Sequence, residues 1–516
     1  MNAWPRDPVV HEIFTWVWLR DLSRELDRDV TLADVPAEVW DGVAAPGIDT
    51  VWLMGVWQRS PLGASIARTD PALRAAHRAT LSDLTDTDVV GSAYCVRDYH
   101  VDPHLGGDEG LAIARARLAD RGVRLVLDLV PNHVAPDHPW VTEHPEFFVR
   151  GTTEALADDP AAFLELGDHV YARGRDPYFP AWPEVLQLDA TSPALRAAMA
   201  AVAERLTTMC DGLRCDMAML LLDEVFHRTW GHLLPQPVEV GEGFWPTVIG
   251  SARAARSDFR MWAEAYWDLE PALLAEGFDA CYDKRLYDRI VHRAPISEVR
   301  AHLAAPIDSQ HRTVRFVENH DEPRAATVLS PEAHLAALIT ILTIPGVALV
   351  HEGQLQQRRV RVPVTLGRRP DEPLDHHFEA RAAGVLAALA AGMRAGDWQL
   401  GQVCGWADNS SADRLLSWSW TSPGQRHLVV VNLSDASADG MVEWPWPDDH
   451  DHDHDHDHEH DHDHEHGALT LVDVVSGASN ERDRDEVTEH GLYVALPGPG
   501  AHLFRVSGAA DPSRCA

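Results

Sequence analysis

Apolar residues in this chain fall into short solid runs separated by longer stretches of mixed polarity. VVHEIFTWVW, IDTVWLMGVW, VRLVLDLVP, DGLRCDM, FRMWAEAY, FDACYD, TVRFVENH and GVALVHEG follow one another in that order. Continuous apolar runs of this length predict strands buried on both faces, as in a parallel sheet. Between them lie Ala/Leu/Arg-rich stretches such as LAIARARLADRG and SPALRAAMAAVAERL, which predict helices. Gly122 ends one of these just before a strand, the usual place for a helix-terminating glycine. Eight strands with intervening helices over about 390 residues predict an α/β fold, a (β/α)8 TIM barrel.

Two segments break the alternation. Between Val134 and Asp189 the chain is rich in proline and aromatics, with HPWVTEHPEFF and GRDPYFPAWPEV. It predicts a small excursion after the third strand, residues 134–189, set into a barrel made of residues 1–133 and 190–395. From about Gly396 the runs become short and alternating: RLLSWSW, QRHLVVVNL, LTLVDVVSG, LYVALP and HLFRVSG. That pattern predicts a C-terminal antiparallel β-sandwich over 396–508. Within it, the Asp/His-rich tract 448–466 has no apolar residue and predicts a disordered loop. Its nine histidines would give incidental Zn²⁺ or Ni²⁺ affinity, because a flexible repeat fixes no coordination geometry.

Charge narrows the function. The formal net charge is −36, and the chain stays strongly acidic without the His-rich tract. Such a surface repels phosphate backbones, so nucleic acid is not an expected partner. The N-terminal stretch shows no basic segment followed by an apolar one, and no run is long enough to span a bilayer, so neither secretion nor a membrane is expected. Six scattered cysteines without a CxxC pair fit reduced thiols and a cytoplasmic location.

In TIM barrels, functional side chains gather at the C-terminal ends of the strands. Here the third strand ends in Asp128 through Asn132 and His133. The fourth carries Arg214 and Asp216, the fifth ends in Glu264, and the seventh ends in Glu318, Asn319, His320 and Asp321. Carboxylates converging on one mouth suit glycosidic cleavage, where one carboxylate attacks or stabilises C1 and a second carboxyl protonates the leaving oxygen. Arg214 lies two residues before Asp216, on the same strand face, so it is expected to keep Asp216 ionised as a nucleophile. Glu264, flanked by Trp262 and Tyr266, is expected to hold a proton through partial desolvation and to act as general acid/base. Cys215 is expected to point away from the mouth as a small apolar residue.

Four stretches, DLVPNH, GLRCDMAM, WAEAYWD and FVENHDEPR, in that order, resemble the four short motifs of the α-amylase family, glycoside hydrolase family thirteen. The resemblance covers nearly the whole chain outside the His-rich tract. It implies a retaining hydrolase of α-glucans or short α-glucosides. A transglycosylase or isomerase of maltooligosaccharides, trehalose or sucrose would use the same covalent intermediate. A non-catalytic binding relative would be expected to lose the nucleophile or the acid/base, and this chain has both. By motif, Asp216 matches the nucleophile, Glu264 the acid/base and Asp321 the third carboxylate. His133, His320 and Arg214 match residues around the sugar at the cleavage point. In GSAYCVRDY, Tyr94 would stack under that sugar and Asp98 would support the site. No cofactor is implied, but Asn132 matches an asparagine that often binds structural calcium.

Two departures stand out. Many starch-cleaving members have a Lys-His pair where this chain has Met219 and Leu220. An apolar acceptor side would disfavour hydrolysis of long starch and favour a sugar acceptor. HEGQLQQRRVRVPVTLGRRPDEP, after the eighth strand, would place basic residues at the mouth with no ligand assigned. Trp57, Trp140, Trp182 and Trp267 are placed in loops, without a subsite for any of them.

Overall fold

The eight apolar runs form eight parallel strands that close on one another: Val9–Phe14, Thr50–Met54, Arg124–Leu129, Gly212–Cys215, Arg260–Ala263, Ala280–Tyr282, Thr313–Arg315 and Val347–His351. Each pairs with its sequence neighbour in the barrel, and the first pairs with the eighth, Val9 opposite Ala348. The computed structural model describes residues 3–234, 243–446 and 467–508. Most strand residues are wholly buried, so side chains fill the barrel and its helical jacket covers the outside.

Local sequence explains where the helices begin. Ser60, Asp70, Ser192 and Ser330 each accept a backbone N–H from the first turn of a helix that opens with proline. The side chain satisfies an otherwise orphan donor, and the proline sits where no N–H is needed. Gly122, at φ +74°, turns the chain out of helix Gly107–Ala119 and into the third strand.

The segment after the third strand carries two short antiparallel pairs, His133–Val134 with Leu186–Gln187 and Phe163–Leu166 with His169–Ala172. A second long connection lies between the second and third strands. There Trp57–Arg59 pairs with Val96–Val101, and helices Pro61–Thr69 and Pro71–Thr80 lie between the two. The sequence pattern does not distinguish this excursion from an ordinary crossover, because its two helices read like the barrel's own. Trp57 is not in a loop: it is buried, and its indole N–H donates to the Asp128 carbonyl at 2.7 Å.

The C-terminal part is antiparallel. A six-stranded sheet runs Asp397–Gly401, Leu415–Ser422, Gln425–Asn432, Gly500–Gly508, Ala468–Asp473 and Ser479–Asp483 in spatial order. A three-stranded sheet of Val403–Cys404, Ala438–Val442 and Leu492–Leu496 accompanies it. Leu415, Leu428, Val442, Leu471, Val494 and Phe504 belong to the apolar layer they share. Trp418 and Trp420 dock the first sheet on helix Pro331–Thr343, donating to the Thr343 hydroxyl at 3.2 Å and the Thr343 carbonyl at 2.6 Å. The His-rich tract 448–466 lies outside the described residues. Among the described residues, no helix is long and apolar enough to cross a membrane. Cys95, Cys210, Cys215, Cys281 and Cys404 are free thiols.

Candidate active site

Arg214 organises the mouth. It is fully buried, and its Nη1 donates to Asp216 Oδ1 at 2.7 Å. Its Nη2 lies 2.8 Å from Glu264 Oε2, and its Nε donates to the Tyr282 hydroxyl at 3.2 Å. The guanidinium carbon also faces the rings of Trp52, Tyr94 and Tyr282 at 5.2, 5.4 and 5.6 Å. The fourth and fifth strands pair with Arg214 opposite Trp262, which sets Asp216 and Glu264 side by side just past the strand ends. The arginine therefore serves both carboxylates, where the sequence assigns it to Asp216 alone.

Glu264 has two further donors. The Met217 N–H reaches Oε2 at 2.6 Å, and the Tyr266 hydroxyl reaches Oε1 at 3.1 Å. Met217 adopts the left-handed conformation, φ 44°, which costs a side-chain-bearing residue of order 1–3 kcal/mol. That turn presents the residue following Asp216 to Glu264. Burial pushes Asp216 up to about 8; Arg214 opposes the shift and the neighbouring Glu264 charge adds to it. Burial thus favours the neutral form of the Asp216 carboxyl, against the ionised state expected from Arg214 alone. Asp128, the third acid at this arginine, lies 3.8 Å from Nη1 and accepts the Gly55 N–H at 3.0 Å. Burial raises it to about 6, with Arg214 pulling the other way.

His320 lies between two acids. Its Nδ1 is 2.5 Å from Glu12 Oε1, and its Nε2 is 2.9 Å from Asp321 Oδ2 and 2.8 Å from the Tyr94 hydroxyl. Tyr94 stacks on the imidazole at 5.4 Å. Burial alone would lower His320, but Asp321 and Glu12 together hold it well above 6.5. Asp321 is exposed at the mouth, and the imidazolium outweighs its desolvation and lowers it to about 2. The signs follow from linkage. The His320 charge stabilises the fold fully below pH 6.5 and ceases to do so as pH rises through its folded value. The Asp321 charge contributes above pH 3.8 and is lost as pH falls through about 2. Glu12→Gln removes the buried acid, so the alkaline loss of stability and turnover is expected about one pH unit lower. An unshifted pH profile would contradict this role for Glu12.

The remaining predicted residues divide. His133 is buried beside Trp182, with ring centres 5.1 Å apart, and desolvation lowers it to about 4. It is neutral at physiological pH, so its ring can both donate and accept a hydrogen bond. Asp98 is half-buried on its strand opposite Gln58, and no hydrogen bond or ion pair joins it to Arg214, Asp216 or Glu264. Glu318 and Asn319 shape the turn that carries His320 and Asp321. Glu318 takes Arg324 at 2.5 Å and the Ala325 N–H at 2.7 Å, and Asn319 Oδ1 accepts the N–H groups of Asp321 and Glu322.

Asn132 Oδ1 accepts from Gln187 Nε2 at 3.0 Å, and Asn132 Nδ2 faces His133 Nδ1. A calcium ion takes six to eight oxygen ligands, carboxylates among them; an amide and an imidazole are what surround this side chain. The residues around Asn132 do not fit calcium. Among the described residues no group of three or more His, Cys, Asp or Glu is placed to hold a metal ion.

Both departures can be placed in three dimensions. Met219 and Leu220 are 0% and 4% exposed, comparable to Glu264 at 2% and Asp216 at 5%, in the short 3-10 helix Ala218–Leu221. Most of the basic loop is neutralised locally: Arg368 by Asp83 and Asp88, Arg369 by Asp21 and Glu352. Arg361 stays exposed at the mouth, donating to the Asp321 carbonyl at 2.6 Å. Glu12, Trp52, Tyr266 and Tyr282 are absent from the predicted set. The signal for Glu12 is a lone acid inside the apolar run VVHEIF, since a charge is rarely buried without a partner.

A parallel barrel whose mouth holds an arginine clamped between two carboxylates, with an antiparallel domain after it, defines the class. Residues 47–225 match the family model for the α-amylase catalytic domain. The chain is 24% identical to α-amylase MalA of Haloarcula japonica over 446 residues, 83% of this chain and 56% of that protein. It is 32% identical over 157 residues, 28% of this chain and 20% of that protein, to an α-1,4-glucan:maltose-1-phosphate maltosyltransferase of Rhodospirillum rubrum. The crystal structure of maltogenic α-amylase AmyB from Thermotoga neapolitana superposes with a TM-score of 0.65 at 17% identity, covering 97% of this chain and 98% of that one. The chain is thus similar to α-amylase catalytic domains in sequence and in fold. It spans 56% of the length of its H. japonica relative, about half.

Proposed function

We propose that this protein cleaves α-glucans or short α-glucosides with retention of configuration, through a covalent glycosyl-enzyme intermediate. The observation that carries the reading is that Asp216 and Glu264, from adjacent strands, share one guanidinium at 2.7 and 2.8 Å. Carboxyls held that way fit the separation of roughly 5 Å that a retaining mechanism requires. Asp216 Oδ2 is buried without a hydrogen-bond partner and is the free oxygen for attack on C1. Glu264 donates a proton to the leaving oxygen and then accepts one from the incoming water or sugar hydroxyl. Asp321, exposed beside the pair, grips sugar hydroxyls; His320 and His133 add imidazole contacts, and Tyr94 covers Arg214 beneath the ring. The free thiols support a reducing, cytoplasmic setting.

Hydrolysis and transfer share this intermediate and differ in the acceptor. Hydrolysis is the leading outcome. Incubation with maltopentaose tests it: shorter sugars alone mean hydrolysis, and longer sugars beside them mean transfer. Unchanged maltopentaose, trehalose and sucrose would overturn the reading.

The rim supplies substrate-length selection. Tyr178 is 60% and Phe179 67% exposed. Tyr178 meets Trp267 edge-on at 4.8 Å, and Trp267 directly follows the Tyr266 that holds Glu264. Sugar rings stack on such faces. Tyr178→Ala with Trp267→Ala is expected to raise KM for maltopentaose about tenfold with kcat within about twofold. An unchanged KM would remove the rim from the binding cleft.

A further inference from the structure

The floor of the barrel, at the opposite end from the mouth, holds a cavity of about 520 Å³. Arg260, Ala280 and Val347, the first residues of the fifth, sixth and eighth strands, line it together with Pro8, just before the first strand. Arg260, Trp262 and Glu264 alternate along the fifth strand and its end, so they share one face. Trp262, 5% exposed, therefore separates the cavity from the acid at the mouth.

Charge sets this cavity apart. Four arginines and one aspartate line it, a surplus of three positive charges in a chain whose net charge is −36. The aspartate is already committed. Asp279 Oδ1 accepts Arg260 Nη1 at 2.7 Å, and its Oδ2 accepts Arg253 Nη2 at 3.0 Å and the Met261 N–H at 2.8 Å. Arg312 Nη2 donates to the carbonyls of Leu274 and Phe278 at 3.2 and 2.6 Å, and Arg6 Nη1 lies 3.5 Å from His311 Nε2. Among the described residues no carboxylate forms an ion pair with Arg6 or Arg312, and both are exposed. Like charges gathered round one cavity repel one another, and a bound anion relieves that repulsion. Trp4 closes one side: its ring meets Trp262 edge-on at 5.9 Å, and its indole N–H is buried without an acceptor.

A phosphate monoester matches these features. It carries close to two negative charges at neutral pH and three acceptor oxygens, and a guanidinium fork takes two such oxygens at once. A carboxylate would offset only one of the three surplus charges. A cavity of this size suits one small molecule rather than a polymer. We propose that Arg6, Arg253, Arg260 and Arg312 bind the phosphate of a small phosphate ester at the barrel floor, with its organic part against Trp4. Among the described residues no hydrogen bond or ion pair links these arginines to Arg214, Asp216 or Glu264, so the floor site and the mouth fill independently.

The test is calorimetric titration of the full chain, at fixed ionic strength, with adenosine 5′-monophosphate, whose flat base can stack on Trp4. Adenosine, which lacks the phosphate, should not bind, and inorganic phosphate should bind more weakly than the ester. Arg6→Gln with Arg312→Gln should weaken binding of the ester at least about tenfold. That pair holds no carboxylate, so its loss strands no buried charge. Arg6→Lys with Arg312→Lys should bind more tightly than the glutamine variant, which separates loss of charge from misfolding. Asp216→Asn titrated in excess maltopentaose should bind the ester as the parent does. No binding by the parent, equal binding by the glutamine variant, or displacement by maltopentaose would overturn the floor site. Inorganic phosphate binding as tightly as the ester would overturn the part given to Trp4. None of these measurements depends on turnover, so failure of the catalytic reading would leave the floor site standing.

Discussion

Asp216→Asn is expected to lower turnover by at least about a thousandfold, a loss of about 4 kcal/mol of transition-state stabilisation. The amide keeps the shape and can still face Arg214, but it cannot bond to C1. Glu264→Gln should cost a similar factor on substrates with poor leaving groups, because the proton for the leaving oxygen disappears. Stability should move the other way from activity. Burial raises Asp216 to about 8, so its ionisation costs the folded state at neutral pH, and a neutral amide removes that cost. Asp216→Asn is therefore expected to melt no lower than the parent at pH 7, as measured by thermal circular dichroism. A variant that retains both turnover and fold would end the assignment of Asp216.

Arg214→Met is expected to be the most damaging single change to the fold around the mouth. The guanidinium is the shared counter-charge for Asp216 and Glu264 and the nearest one to Asp128, all of them nearly inaccessible. Removing one member of a buried ionic group costs about 3–5 kcal/mol, since the remaining charges stay desolvated and unpaired. Combining it with Asp216→Asn should recover part of that loss, because one stranded charge goes with the arginine. Additive losses in urea titration would mean that Arg214 acts on stability through its ring contacts with Trp52, Tyr94 and Tyr282 rather than through the carboxylates.

The barrel is legible in the sequence because strands buried on both faces need unbroken apolar runs, and all eight runs are strands. Helices capped by Ser or Asp before proline are legible for the same local reason. Less legible are Asp397–Gly401, Val403–Cys404 and Ser479–Asp483, short or exposed strands whose pairing comes from neighbours remote in the chain. At the mouth, strand ends reveal Arg214, Asp216, Glu264 and Asp321, since barrel geometry places any polar residue there. The division of Arg214 between two acids is not legible, because it depends on the pairing of the fourth and fifth strands and on the left-handed turn at Met217. Nor is the burial of Met219 and Leu220, which packing decides. The pairing of Glu12 is out of reach for a related reason: its partner His320 lies 308 residues away.

The central claim is a double displacement at Asp216, and proton NMR of the anomeric signals in the first minutes of maltopentaose cleavage tests it most directly. Retention predicts new reducing ends that appear as the α-anomer and only later mutarotate, with Asp216→Asn giving none. Reducing ends that appear first as the β-anomer, or the same signals from Asp216→Asn, would contradict it.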